Sequence, residues 1–295
     1  MAMSSSEAPY PPFELANRVH RIGSDDLSGY IRFEVRGAET RAELLRLLPE
    51  GTTLQGKRIL DFGCGAGRTL RHFLPEADAG EIEVWGTDID EPSIEWLNAN
   101  LCPPLNAILG SADPPLPFES GSFGFAWAIS VFTHLTGNSA AWLLELHRLL
   151  EPGGLLMASY MGEWNSETIA REPWDPDRNG MNVLWHDNPW DTGGPMVLMS
   201  DWWVSEHWGR AFEIVGRSAW FHNQTWVMLR KRDVELTPGE LLAPGGDPRE
   251  FAALRHNVTQ LQHELERARE STRQEYESTL SWRLTRPLRG LRRRR

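Results

Sequence analysis

The sequence predicts an α/β fold: a mostly parallel sheet of seven strands covered by helices on both faces, with a separate helix after it. Three observations carry this prediction. Short apolar runs recur with helix-sized spacing between them, the first of them enters a turn with glycines at alternate positions, and the composition changes after Lys231. Alternating strand and helix signals predict a sheet whose ligand lies beyond the carboxyl ends of its strands.

Taken in order, residues 1–50 read as an N-terminal cap segment with a helix near 40–48. Strands are predicted near 57–62, 82–88, 105–109, 122–130, 154–160, 211–217 and 224–230, which gives a domain over 51–235. The first strand, Arg58-Ile59-Leu60-Asp61-Phe62, delivers the chain into Gly63-Cys64-Gly65-Ala66-Gly67. Without side chains at the three glycines, the backbone can turn sharply and let a ligand approach the N–H groups of a following helix. A tight strand-to-helix connection is the plainer reading of the same residues. The second strand ends at Asp88, about 20 residues beyond the glycines, where such folds hold a ribose diol. Arg68 stands where a dinucleotide fingerprint has its last glycine, which argues against a nicotinamide or flavin site.

The Asp61-x-Gly63-x-Gly65-x-Gly67 spacing resembles the first motif of class I S-adenosylmethionine-dependent methyltransferases. The resemblance continues in the family's order through Gly110-Ser111-Ala112-Asp113, the run from Phe123 to Leu135, the run from Glu151 to Ser159, and Thr225 to Lys231. It spans roughly residues 40–232 and implies a Rossmann-like methyltransferase sandwich with an antiparallel final strand and S-adenosyl-L-methionine as cofactor. Carried over by position, it implies that Asp61 orients the loop or meets the cofactor's amino group, and that Gly63, Gly65 and Gly67 admit its methionine part. Asp88 would take the ribose hydroxyls, Ile89 would pack on the adenine, Ala112 and Asp113 would read the adenine edge, and Ser130 would stand beside the transferable methyl. Asp88 as a helix cap and Asp113 as a turn former before Pro114-Pro115 are the structural alternatives.

About 50 residues separate the fifth and sixth strands, far beyond an ordinary connection, so an insertion is predicted over about 161–210. Nine of the 14 tryptophans fall between Trp164 and Trp226. They are expected mostly to build a core, with one or two reaching substrate; Trp164, His186, Trp203 and His222 are the candidate substrate-binding residues, beside Asp175, Asp177 and Asp187. For an alcohol acceptor a base is needed near Ser130, and His134 is the candidate, with a structural or pocket role as its alternative. His186, His207 and His222 are the other bases considered. No carboxylate pattern with metal-ligand spacing stands out, so no metal is expected.

The composition then passes through a proline- and glycine-rich stretch, 236–249, read as a linker, into a heptad pattern over 250–280. Phe251, Leu254, Val258, Leu261, Leu265 and Ala268 form its apolar seam, suited to a homodimeric coiled coil or to docking on the domain. The last fifteen residues, 281–295, hold seven arginines and no acid in a chain whose net charge is −11. Interleaved with Trp282, Leu284, Leu288 and Leu291, they suit an anionic membrane surface, whereas the acidic body opposes nucleic acid, so no nucleic-acid partner is expected. The run from Ser281 to Arg289 also resembles a C-terminal signature of bacterial surface-polysaccharide glycosyltransferases and methyltransferases. With no membrane-length apolar run, no secretion signal and two cysteines, a cytoplasmic protein peripheral to the inner membrane face is expected.

Together these readings predict methyl transfer, with a hydroxyl of a saccharide or glycolipid as the expected acceptor. A small metabolite or natural product is the second reading. A catalytically silent, cofactor-binding scaffold for glycan enzymes is the third.

Overall fold

A computed structural model describes residues 8–186, 188–189 and 193–279. Two helices come first, α1 (Phe13–His20) and α2 (Leu27–Arg46). The sequence had suggested only the end of α2, although Asp26 caps it by accepting the Gly29 N–H at 3.1 Å. The chain then alternates through β1 (Arg58–Phe62), a 3₁₀ turn at Leu70–Phe73, α3 (Leu74–Asp78), β2 (Glu83–Asp88), α4 (Glu91–Asn100) and β3 (Asn106–Leu109). It continues through β4 (Phe123–Ala128), α5 (Ser139–Leu149) and β5 (Leu150–Tyr160). Two crossovers depart from the expected helices. Only the short 3₁₀ turn and α3 follow the glycine loop, and 110–122, with Pro114, Pro115 and Pro117, joins β3 to β4 without a helix because proline lacks the N–H that a helix interior needs.

Residues 161–200 hold a single turn α6 (Glu163–Asn165), a π-type turn at Ser166–Ala170, and an antiparallel pair, β6 (Met181–Leu184) and β7 (Met196–Met199). The insertion ends earlier than predicted, because α7 (Asp201–Ala211) is the crossover helix into β8 (Phe212–Phe221). Ser200 caps it by accepting the Trp203 N–H. Trp202, Trp203 and Trp208 ride on α7, Trp226 on the last strand β9 (Gln224–Lys231), and all four are buried in the main core. Trp190 and Asp187 lie outside the described residues.

The main sheet has the order β3-β2-β1-β4-β5-β9-β8. β9 runs antiparallel to both neighbours, while β1 to β5 are parallel, as the resemblance implied. Period-two alternation divides the core between the faces: Ile59, Phe125, Met157 and Met228 pack on one side, Leu60, Ala126, Leu156 and Leu229 on the other.

The stretch read as a linker carries α8 (Pro238–Leu242), closed by a capping box of Thr237 and Glu240, with Leu241 buried beside α5 and α7. The helix predicted over 250–280 is α9 (Arg249–Ser278), and it docks on the domain through the buried His207–Glu250 pair at 2.7 Å. The basic tail, 281–295, lies outside the described residues. Among those described, no helix is long and apolar enough to cross a membrane.

One contact joins the N-terminal cap to the glycine loop. A Cβ on Gly37 of α2 would stand 2.2 Å from the Arg68 carbonyl oxygen and 2.5 Å from His72 Nε2. Gly37→Ala should therefore destabilise the protein by about 1–3 kcal/mol, the scale of overpacking, against the roughly 1 kcal/mol that alanine otherwise gains in a helix. Denaturant unfolding measures this; unchanged or raised stability would contradict the close approach of α2.

Candidate active site

The ends of β1, β2 and β4, with α1, α2 and the insertion, enclose a cleft of about 1330 Å³. Its floor is the glycine loop. Gly63, Gly65 and Gly67 have φ of +82°, +50° and +77°, a region that side chains disfavour. A Cβ at Gly63 would meet Val131 at 2.4 Å and one at Gly65 would meet Val19 of α1 at 2.6 Å, so both cleft-lining positions need a residue without a side chain. At Gly67 it would meet Leu97 at 2.6 Å. That glycine lets the loop pack on α4 and is not part of the cleft wall, unlike the sequence expectation.

Asp88 braces the loop. Its carboxylate accepts the Gly65 N–H at 2.7 Å on one oxygen and the Asp90 N–H at 2.9 Å on the other. Asp90, in the N-cap position of α4, accepts bonds from Arg18 and the Ser93 hydroxyl. Asp88 is thus no helix cap; burial raises its pKa, and each oxygen keeps acceptor capacity for a hydroxyl. Ile89 and Ala112 line the cleft beside it. Asp113 does not: its carboxylate is tied to Asn138 Nδ2 at 3.2 Å, and Asn138 also donates to the Ala112 carbonyl at 2.7 Å.

Behind the loop, burial pushes the Asp61 carboxyl up to about 8, opposed by Trp127 and by the Arg68 guanidinium. Burial in turn brings Arg68 down to about 10. Arg68 Nε is buried without a hydrogen-bond partner among the described residues. In the sequence Arg68 stood out only as the residue that breaks a dinucleotide fingerprint.

Past β4, Ser130 holds a left-handed φ of +57°, fixed by its N–H donating to Ser159 Oγ at 2.8 Å and by Gln224 Nε2 donating to its own Oγ at 2.7 Å. Gln224 Oε1 is buried and has no partner among the described residues. His134 Nδ1 lies 2.9 Å from the Pro195 carbonyl oxygen, which can only accept, so Nδ1 carries the proton and Nε2 the lone pair. Burial holds His134 below the usual histidine range.

His222 also lines the cleft, from the two-residue turn with Asn223 that joins β8 to β9; both take positive φ. The other three substrate candidates lie elsewhere. Trp203 is buried in the core and stacked on His207, Trp164 packs edge-on against Trp220, and His186 faces Glu264 of α9 at 3.8 Å. His207 is committed to Glu250 and the Leu241 carbonyl, away from the cleft. Trp185, Asn188 and Gln224 line the cleft and went unmarked as site residues, since their position depends on the path of the insertion and the last hairpin.

Residues 60–158 match the family of the methyltransferase domain. The chain is 31% identical over 127 residues to the tRNA N(3)-methylcytidine methyltransferase trm140 of Schizosaccharomyces pombe, covering 41% of each chain. It is 30% identical over 130 residues to the 2-methyl-6-phytyl-1,4-hydroquinone methyltransferase of Synechocystis, covering 44% of this chain and 37% of that one. To the O-methyltransferase rstn1 of Aspergillus nomiae it is 29% identical over 129 residues, covering 41% and 55%. The chain thus matches about half or less of the length of these curated relatives. A solved protein from Pyrococcus horikoshii shares the fold, with a TM-score of 0.50 at 16% identity over 76% of this chain and all of that one. The architecture is the Rossmann-like class I methyltransferase fold, and its cofactor is S-adenosylmethionine.

The residues fit that cofactor. Gly63 and Gly65 line the cleft as bare backbone, Asp88 offers two acceptors for a diol, and Asp61 and Arg68 line it as an acid and a base for the two ends of an α-amino acid. Because Asp61 is protonated below about pH 8 in the free protein, pairing with an ammonium must expel that proton. Affinity for S-adenosylmethionine should therefore rise between pH 6 and 7.5, by up to about tenfold per unit, and Asp61→Asn should flatten the slope. Calorimetry in buffers of different ionisation enthalpy would detect the released proton; affinity independent of pH in the unaltered protein would contradict the pairing.

Proposed function

We propose that this protein transfers a methyl group from S-adenosylmethionine to a hydroxyl oxygen of a saccharide or glycolipid. The observation that carries the reading is the fixed tautomer of His134, whose Nδ1 donates to Pro195 and leaves Nε2 as a proton acceptor on a cleft-lining residue. The bound cofactor supplies a methyl already activated by its sulfonium. What remains for the chain is alignment and removal of one proton. A hydroxyl is a poor nucleophile until that proton leaves, and His134, neutral at neutral pH through its lowered pKa, can take it at Nε2.

The cleft's volume, about 1330 Å³, exceeds the roughly 300–1,000 Å³ of a site for one small ligand, which supports cofactor and acceptor bound together. Its acceptor side offers Trp185, Asn188, His222, Asn223 and the unpartnered Gln224 Oε1, an aromatic surface with amides suited to hydroxyl groups. A small-metabolite acceptor is the second reading, favoured by the hydroquinone methyltransferase and the O-methyltransferase among the relatives. Incubation with labelled cofactor and fractionated glycans, lipids, metabolites and tRNA separates them: label confined to metabolites or RNA would overturn the saccharide reading.

His134→Gln should lower turnover by about 10² to 10⁴ while cofactor affinity stays nearly unchanged. In the unaltered enzyme, turnover should persist below the ordinary histidine pKa of about 6.5 and fall only as pH drops through the lowered value. Full activity in the variant would remove His134 from the chemistry.

A glycolipid acceptor calls for a site near a membrane, and the arginine-rich tail at 281–295 supplies the attraction. Truncation after Ser278 should abolish sedimentation with anionic vesicles that the full chain shows at low salt. Equal sedimentation of both forms would remove the tail from that role.

A further inference from the structure

Helix α9 carries two different stripes. One faces the domain and is largely polar: Glu250 meets His207 at 2.7 Å, Ala253 is buried, Asn257 donates to the Met181 carbonyl at 2.8 Å, and Glu264 lies 3.8 Å from His186. The apolar seam read from the sequence points elsewhere. Phe251 is 78% exposed, Leu254 48%, Val258 55%, Leu261 49% and Leu265 51%. A domain that docks its helix by the polar stripe and leaves five large apolar side chains in water has reserved that seam for another surface.

We propose that the seam pairs with the same seam of a second copy, as a parallel, in-register two-stranded coiled coil. Spacing and side-chain shape point to this occupant. With Phe251 at heptad position a, the a positions are Phe251, Val258 and Leu265 and the d positions are Leu254, Leu261 and Ala268; the central heptad, Val258 with Leu261, has the β-branched a and leucine d that suit two parallel strands. Charge decides the orientation. Position g then holds Glu250, Asn257 and Glu264, while position e holds Arg255, Gln262 and Arg269. Parallel helices bring each g beside the e five residues on in the other copy, which sets Glu264 against Arg269 of the partner copy and Glu250 against Arg255 of the partner copy. Antiparallel helices would set glutamate against glutamate and arginine against arginine. Glu250 is committed to His207 at 2.7 Å and Glu264 lies 3.8 Å from His186, so the choice rests chiefly on position e, where antiparallel helices would set Arg255 and Arg269 against each other. The docking stripe holds positions c and g, beside the seam, so the domain leaves the seam free for a partner helix.

Six apolar positions make a short seam, so the dimer should form reversibly with concentration. Sedimentation velocity of the full chain should show a monomer–dimer equilibrium, and Leu261→Glu should raise the dimer dissociation constant at least about tenfold without changing cofactor affinity, which confirms that the variant is folded. Orientation is read by oxidative cross-linking. Starting from Cys102→Ser, with Cys64 buried, Leu254→Cys and Leu265→Cys should each cross-link to itself. If the helices were antiparallel, neither would do so alone and a mixture of the two would form the mixed disulfide. That result, or a monomer at every concentration with Leu261→Glu indistinguishable from the parent, would overturn the proposal.

Discussion

The absence of a side chain at Gly65 is the constraint on which the rest of the site depends. Its backbone N–H is held by Asp88 at the end of β2, and the space where a Cβ would lie is closed by Val19 of α1. One residue therefore fixes the distance between the sheet and the N-terminal cap. The bond also orients the Asp88 carboxylate, because the Gly65 and Asp90 N–H groups occupy one lone pair on each oxygen and leave the others toward the cleft. Gly37 of α2 repeats the device from the other side, against the Arg68 carbonyl. The cap is thus built into the cofactor site, and Arg18 reaches across to Asp90 to hold it there.

Burial of charge is the second consequence. Asp61 is buried beneath the loop and Arg68 half-buried beside it, and the loss of water raises the acid and lowers the base. An acid and a base this poorly solvated stabilise the fold little by themselves, since desolvation disfavours the charged form of each. Their arrangement makes sense as preorganisation for a zwitterion that brings a partner for each.

The strands and the cofactor side were legible because each rests on local sequence. Seven apolar runs, a glycine turn and an acid at a fixed interval place Asp61, Gly63, Gly65, Asp88 and Ser130 without knowledge of anything distant. Asp113 was misplaced because a local motif cannot reveal that Asn138, 25 residues on, holds its carboxylate. The substrate side was mostly hidden for the same reason. Trp203 looked like a surface for a sugar, but Ser200 and Asp201 already signalled a helix start, and Trp203, Val204, His207 and Trp208 form one helical face that belongs in the core. The short strands β6 and β7, four residues each, carry too little periodicity to be recognised. The apolar seam of α9 was evident, yet which stripe would meet the domain was not, since the docking surface is polar.

The insertion connects these two levels. β7 is not a decoration beside the sheet: the Val197 N–H donates to the Thr133 carbonyl at 2.8 Å, which seats the strand directly on the segment that follows β4. That bond carries Pro195 to His134, where its carbonyl captures the Nδ1 proton. A residue placed by the core sheet thereby receives its tautomer from an element outside it. Proline suits the position because its fixed φ narrows the carbonyl's path and it has no N–H to compete for the contact. The β8–β9 hairpin performs the matching task for Ser130, through Gln224. His134 and the strained Ser130 are thus each held by a segment that also lines the cleft. A change in either segment would therefore alter the cleft wall and the setting of His134 or Ser130 together, whereas the glycine loop and Asp88 rest on β1 and β2.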